Sequence, residues 1–296
     1  MDLVTTRGSI VVGVDGSAIS NAALDWAARR ASARSVPLVL IHAFSADLPM
    51  LGFGSLDSDD AIRKAGEQLL ATAATRAHAI DHRLDVATAC VSGFAAPSLI
   101  RASAGAIYTV VGSVGHGLLA NLSLGAVTGQ VASHAKSPVV IVGRDNGLAT
   151  PFGRVLVGVD GSATSVVALH EAFDHAALRG AQLEVVTAWQ PRGRRDPSLT
   201  AGSQWDGYVK TFQGLVSGEL ARQVAAHPEV KVTHDVVRAD PVRTLLERSA
   251  ATDLVAVGNR GVGGFEGLHI GSVTRALMGH VPSPLLIARL RDEAKS

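Results

Sequence analysis

The hexapeptide VGVDGS stands twice in this chain, at Val12–Ser17 and again at Val157–Ser162. The offset is 145 between Val12 and Val157, and 146 between Gly112 and Gly258 and between Ser137 and Ser283. One folding plan is therefore used twice. A chain of 296 residues, at roughly 150 residues per domain, has room for two cores. The expected domains are residues 1–149 and 150–296, cut inside the Gly-, Asn- and Pro-containing linker GRDNGLATPFGR.

Both halves read as the same alternation of elements. A strand (SIVVGVD or RVLVGVD) leads into a long Ala-rich helix, and a second strand (PLVLIHAF or QLEVVTAW) follows. A variable loop, a helix and a third strand come next, and each half closes on a helix, a strand, a Gly-rich loop, a helix and a fifth strand. The strands are mostly unbroken Val/Ile/Leu runs, as in parallel strands covered on both faces by helices. The expected fold is α/β: two tandem doubly wound domains, each a five-stranded parallel sheet flanked by helices. In such sheets ligands sit beyond the carboxyl ends of the strands, where strand order reverses. That rule singles out Asp15 and Asp160 at the first strand ends and Gly112 and Gly258 at the fourth. The aspartates have two readings here, as ligand-facing carboxylates or as turn and helix caps before Gly16 and Gly161.

The loop after the fourth strand of the second half, VGNRGVGGFEGLHIGSVTRAL, spaces Gly258, Gly261 and Gly271, with Ser272 next. Glycines let backbone N–H groups approach an anion, and a helix opening at Gly271 offers unsatisfied donors and the positive end of its dipole. The hydroxyls of Ser272 and Thr274 lie at the same place, so a phosphate is the expected guest. Gly112, Gly115 and Gly125 repeat the spacing in the first half, but Ala126 replaces Ser272, and Gly117 and Leu118 answer Gly263 and Gly264. Neither a Walker loop nor a G-x-G-x-x-G turn is present.

A net charge of +1, from 27 basic and 26 acidic residues, provides no field for nucleic acid or anionic lipid. No run approaches the roughly 18 apolar residues of a membrane span, and the opening MDLVTTRGS does not read as a leader. With a single cysteine, Cys90, expected as a buried free thiol, the location expected is cytoplasmic. Other clusters read as structural: His78 and His82 as exposed helix histidines, the acidic run LDSDD as the approach to a helix near Ala61, and His42 as a core residue. His116 reads as an exposed loop histidine within reach of phosphate. Trp26 and Trp189 read as packing. Trp205 lies in the variable stretch GRRDPSLTAGSQWDGY, which reads either as a lid folding over a bound ligand with Trp205 or as a mobile loop.

VGVDGS and the Gly-x2-Gly-x9-Gly-Ser spacing resemble the universal stress protein family, in its tandem, ATP-binding form found in mycobacteria and related actinobacteria. The likeness covers nearly the whole chain and implies the Rossmann-like, adenine-nucleotide-hydrolase-like form of the fold. It implies ATP, with Mg²⁺ or Mn²⁺ relieving the repulsion between carboxylate and phosphate. By the resemblance, Asp15 and Asp160 lie beside the ribose and the phosphate or metal edge. The backbone after the second strand, at Ala43 and Ala188, meets the adenine. Gly112, Gly115, Gly125, Gly258, Gly261 and Gly271 hold the phosphates, with Val127, Thr128, Arg260, Ser272, Val273 and Thr274 beside them. Ala126 departs from the motif. The resemblance further implies a role in stress, hypoxia, dormancy or growth control, domain pairing through the last strands, a homodimer of tandem chains and an unidentified protein partner. No positioned general base or phosphate-clamping lysine is evident, so at most slow hydrolysis is expected. The competing readings are a slow ATPase or phosphotransferase and a nucleotide-free scaffold.

Overall fold

Apolar runs flanked by turn residues become strands here, and the Ala-rich stretches between them become helices. The computed structural model describes residues 5–44, 57–115, 124–143, 151–190, 202–262 and 269–290. The chain divides into two compact units, Met1–Asn146 and Gly147–Leu290.

In the first unit the order is β1 (Ile10–Gly13), α1 (Ala18–Arg34), β2 (Leu38–Phe44), α2 (Asp57–Ile80), β3 (Val86–Ser92), α3 (Ala95–Ala102), β4 (Tyr108–Gly112), α4 (Ala126–His134) and β5 (Val139–Val142). Its strands lie in the order β3-β2-β1-β4-β5, with parallel registers such as Val12 opposite Leu40 on one side and Val110 on the other. The second unit runs β6 (Arg154–Gly158), α5 (Ala163–Arg179), β7 (Gln182–Ala188), α6 (Gly202–Ala226), β8 (Val232–Val237), α7 (Pro241–Ser249), β9 (Leu254–Gly258), α8 (Ser272–Leu277) and β10 (Leu285–Ala288). Its strand order is β10-β9-β6-β7-β8, also parallel. With right-handed crossovers, this order sends two helices to each face and puts the reversal between β1 and β4, and between β6 and β9. The doubly wound α/β fold is therefore as expected.

The cores follow from the runs. Ile10, Val11, Val12, Leu38, Leu40 and Val110 are fully buried in the first unit, and Val155, Leu156, Val157, Leu254 and Val255 in the second. The outer strand β8 is different: its exposure alternates, with Thr233 and Asp235 outward. Ser17 and Ser162 cap α1 and α5, accepting from the amides of Ser20 at 3.0 Å and Ser165 at 3.2 Å. Both helices end in a left-handed residue, which is Ser35 (φ 52°) in the first unit and Gly180 (φ 61°) in the second.

Several expectations need correction. Helix α2 opens at Asp57, so the acidic run lies in its first turn rather than ahead of a helix at Ala61, where it still opposes the helix dipole. His82 lies in the turn after α2, not on the helix. Trp205 falls inside α6, because that helix begins at Gly202; residues 191–201 lie outside the described residues. Cys90 is half-buried rather than enclosed, since β3 is an outer strand. No described helix is long and apolar enough to cross a membrane.

Candidate functional site

At the carboxyl edge of each sheet, the turn leaving the first strand meets the loop leaving the fourth. The turn is built from its own residues. Gly16 and Gly161 carry φ of 81° and 83°, values that L side chains disfavour. Asp15 Oδ1 accepts from the Ser17 amide at 2.9 Å, and Asp160 Oδ1 accepts from the Ser162 amide at 3.0 Å. Ser20 and Ser165 hydroxyls hold the aspartate amides at 3.2 and 3.4 Å. The turn-capping reading of the aspartates is thus part of their role.

The second carboxylate oxygen points elsewhere. A Cβ on Gly115 would stand 2.5 Å from Asp15 Oδ2, and a Cβ on Gly261 would collide with Asp160 Oδ2. In the second unit the Val262 amide donates to the same Oδ2 at 3.0 Å. Residues about a hundred apart in sequence are therefore in contact, and glycine is what permits it. The loops then fold back on themselves: the Gly125 amide reaches Ser113 O at 2.7 Å, and the Gly271 amide reaches Asn259 O at 2.8 Å. Each sheet edge therefore carries a carboxylate, two neighbouring glycines and a helix start. Gly125 and Gly271 cap α4 and α8 without a side-chain bond, leaving helix-opening N–H donors that suit an anion.

Thr128 and Thr274 are placed differently from expectation. Both are buried, and their hydroxyls donate to Gly112 O at 2.6 Å and Gly258 O at 2.7 Å. They pin the helix start to the strand end rather than offering a donor to a ligand. Ala43 and Ala188 also move: they lie inside β2 and β7, opposite Val91 and Val237, rather than after the strands. Ser272 and Ala126 open the two helices and are exposed, as is Val127, whereas Val273 is half-buried. His116, Gly117, Leu118, Gly263 and Gly264 lie outside the described residues.

Sequence reasoning missed how the second loop is fastened. Thr164 Oγ1 donates to Arg260 O at 2.6 Å and Ser162 Oγ to the same carbonyl at 3.2 Å. At the matching places the first half has Ile19 and Val114, both buried and apolar. Arg260 itself is exposed and brings a cation to the second site only. Asn259 Nδ2 donates to His269 O at 3.3 Å, leaving a buried Oδ1 with no donor among the described residues. Aligning the halves on their offset shows all three exchanges, Thr164 for Ile19, Arg260 for Val114 and Asn259 for Ser113.

Chemically, this edge can hold a polyanion on backbone amides while presenting a carboxylate to hydroxyls or to a cation. No group of three His, Cys, Asp or Glu side chains able to hold a metal exists among the described residues. A hard divalent ion here would complete its shell with ligand oxygens and water, as Mg²⁺ does. Cys90 is not a nucleophile of this site: burial, with Glu67 nearby, raises its pKa. His42 serves the edge structurally, with Nδ1 2.8 Å from Val14 O.

The universal stress protein family model matches residues 6–143 and again 151–289. A universal stress protein of Mycolicibacterium smegmatis is 35% identical over 293 residues, spanning 97% of this chain and 98% of the relative. One from Mycobacterium tuberculosis is 33% identical over 294 residues, spanning 95% and 96%. Among solved structures, a universal stress protein from Archaeoglobus fulgidus superposes with a TM-score of 0.70 at 19% identity, covering 97% of this chain and 98% of that one, which speaks to the fold. A paired sheet edge, repeated in two units that the family model matches separately, places this chain in the universal stress protein family.

Proposed function

We propose that the chain is an ATP-binding regulatory protein of the stress response, in which nucleotide occupancy alters conformation or partner choice. The observation that carries this is the contact of Gly115 with Asp15, repeated by Gly261 with Asp160 at the strand-order reversal of each unit. In this reading residues 1–149 and 150–296 are each a nucleotide-binding domain. The phosphates lie on the amides around Gly115, Gly125, Gly261 and Gly271, near Ser272 and Arg260. Asp15 and Asp160 take ribose hydroxyls or a phosphate-bound Mg²⁺ or Mn²⁺, and the adenine lies at the ends of β2 and β7 near Ala43 and Ala188. The second site is the stronger, because Thr164 and Ser162 fix its loop and Arg260 adds charge. Regulation rather than turnover fits a site whose carboxylates are already engaged in holding the turn and loop, Asp15 by the Ser17 amide and Asp160 by the Ser162 and Val262 amides. The setting proposed is cytoplasmic, as a homodimer of tandem chains with a protein partner, in hypoxia, dormancy or growth control.

The test is to denature freshly purified protein and quantify released nucleotide per chain by chromatography and mass spectrometry. Two ATP per chain means both edges bind, and one means the second edge alone does. No nucleotide, together with no calorimetric response to Mg-ATP, overturns the reading in favour of a nucleotide-free scaffold. Rapid turnover of saturating Mg-ATP would instead make the chain an ATPase.

A further inference from the structure

Phe94 is 70% exposed, the most open of the large apolar side chains described in the first unit. It follows Gly93, whose φ of 125° turns the chain out of β3, and it stands at the N-cap of α3. Its place is the carboxyl edge. The Gly93 amide donates to Phe44 O at 2.7 Å, tying the end of β3 to the end of β2, and Ala43 lies opposite Val91 in the register. Adjacent strands are about 5 Å apart, so Phe94 rises from the strand beside the backbone proposed to meet the adenine. Helix α3 then crosses back over β1 and β2. It sits close enough there that a Cβ on Gly13, two residues before Asp15, would stand 2.9 Å from Leu99 Cδ1.

The fold alone gives no reason for a phenyl ring at this position. At the matching place in the second unit Asp240 caps α7, its Oδ1 accepting from the Arg243 amide at 2.8 Å. Phe94 has no oxygen to do this, and α3 starts without a side-chain cap. A ring left in water also forgoes the gain from burial. A cap given up and an aromatic exposed at one residue form a local conflict of the kind that accompanies a ligand contact. Helix α4 packs beside α3, and Val127 in its first turn is 39% exposed, so two helix starts at this edge offer apolar surface. The second unit has Asp240 and the half-buried Val273 instead.

We propose that Phe94 stacks on the purine ring of a ligand bound at the first edge, so that this site selects by base where the second relies on phosphate charge. The inference rests on the nucleotide reading given above. Stacking on an aromatic side chain needs only the π face of the base and no charge. The first unit has Val114 where the second has Arg260, and it has Phe94 where the second has Asp240. The ligand class that fits the first edge is therefore a purine nucleoside or a nucleotide with few phosphates.

The experiment is calorimetry of the full chain with adenosine and with Mg-ATP, carrying Gly261→Ala throughout so that the first edge dominates. Chains with Phe94, Phe94→Asn and Phe94→Tyr are compared. Phe94→Asn is expected to weaken both ligands about tenfold while raising the thermal midpoint, because asparagine caps α3. Phe94→Tyr, which keeps the ring, is expected to keep the affinity. The adenosine H2 and H8 proton resonances are expected to move upfield on binding to the Phe94 and Phe94→Tyr chains and not to Phe94→Asn. Undiminished affinity in Phe94→Asn, an equal loss in Phe94→Tyr, or Mg-ATP binding without adenosine binding each overturns the stacking and leaves the nucleotide reading intact. No binding of either ligand, in this background or in wild type, overturns the nucleotide reading and this inference with it.

Discussion

A single hydrogen atom in place of a methyl group governs whether the two strand-end turns can touch their loops. Gly261→Ala would push a Cβ into Asp160 Oδ2 and break the bond from the Val262 amide. A lost bond to a charged group is worth roughly 1.5–3 kcal/mol, or about ten- to a hundredfold in affinity. Gly115→Ala displaces Asp15 in the same way, but in a loop without the Arg260 and Thr164 contacts. Calorimetric titration with Mg-ATP is expected to show the larger loss for Gly261→Ala, and equal losses would contradict the inequality of the sites. A second residue-scale effect belongs to His234, whose Nε2 lies 3.3 Å from Thr187 Oγ1. Burial lowers its pKa, against a smaller opposing pull from Asp235. Because the folded pKa lies below the unfolded one, the unfolded chain binds more protons between the two. Stability is therefore lost as pH falls from about 6.5 through the folded value. Urea titrations from about pH 7.5 down to about pH 5 are expected to show a shallower decline for His234→Gln than for wild type.

Elements show where the two copies have diverged without changing fold. Helices α1 and α5 are both 17 residues long and begin on a serine cap, but α1 ends on Ser35 in the left-handed conformation where α5 ends on Gly180. A side chain in that region costs about 1–2 kcal/mol. Ser35→Gly is accordingly expected to raise stability by up to about 1 kcal/mol after the added freedom of the unfolded glycine, read from the urea midpoint. Elements are also where the sequence was most legible. Unbroken apolar runs and a fixed offset disclosed the strands, their parallel sheet and the glycine spacing, because burial on both faces leaves a one-dimensional trace. The hydroxyls of Thr128 and Thr274 left none. Their targets, Gly112 O and Gly258 O, lie sixteen residues away, and only the seating of the helix start on the strand end decides between carbonyl and ligand. Ala43 and Ala188 stand within the apolar runs read as the second strands, and the strands do run through them; Cys90 was misjudged because an outer strand is covered less completely than an inner one.

At the scale of the whole molecule, a duplicated plan allowed one copy to change its polar chemistry while the other kept its apolar contacts. Under α7, Arg248 Nη1 reaches Glu184 Oε1 at 2.5 Å and Asp235 Oδ2 at 2.6 Å, and Arg154 Nη2 reaches Glu184 Oε2 at 2.6 Å. The first unit has Val39, Ala89 and Ala102 at the positions of Glu184, Asp235 and Arg248. Dissolved ions weaken the first kind of contact and leave the second intact or strengthened. Salt then acts on the strands β7 and β8 more than on their counterparts β2 and β3, while the first unit keeps its ion pair between Arg76 and Asp25 on its helices. Amide hydrogen exchange, compared between low salt and about 1 M salt, is expected to speed up in β7 and β8 relative to β2 and β3, and uniform exchange across both sheets would show that the ion cluster carries no net stability. A cell whose internal ionic strength rises under osmotic load would thus loosen the outer strands of one copy of the repeat more than those of the other, giving a duplicated fold two different tolerances to the same solvent.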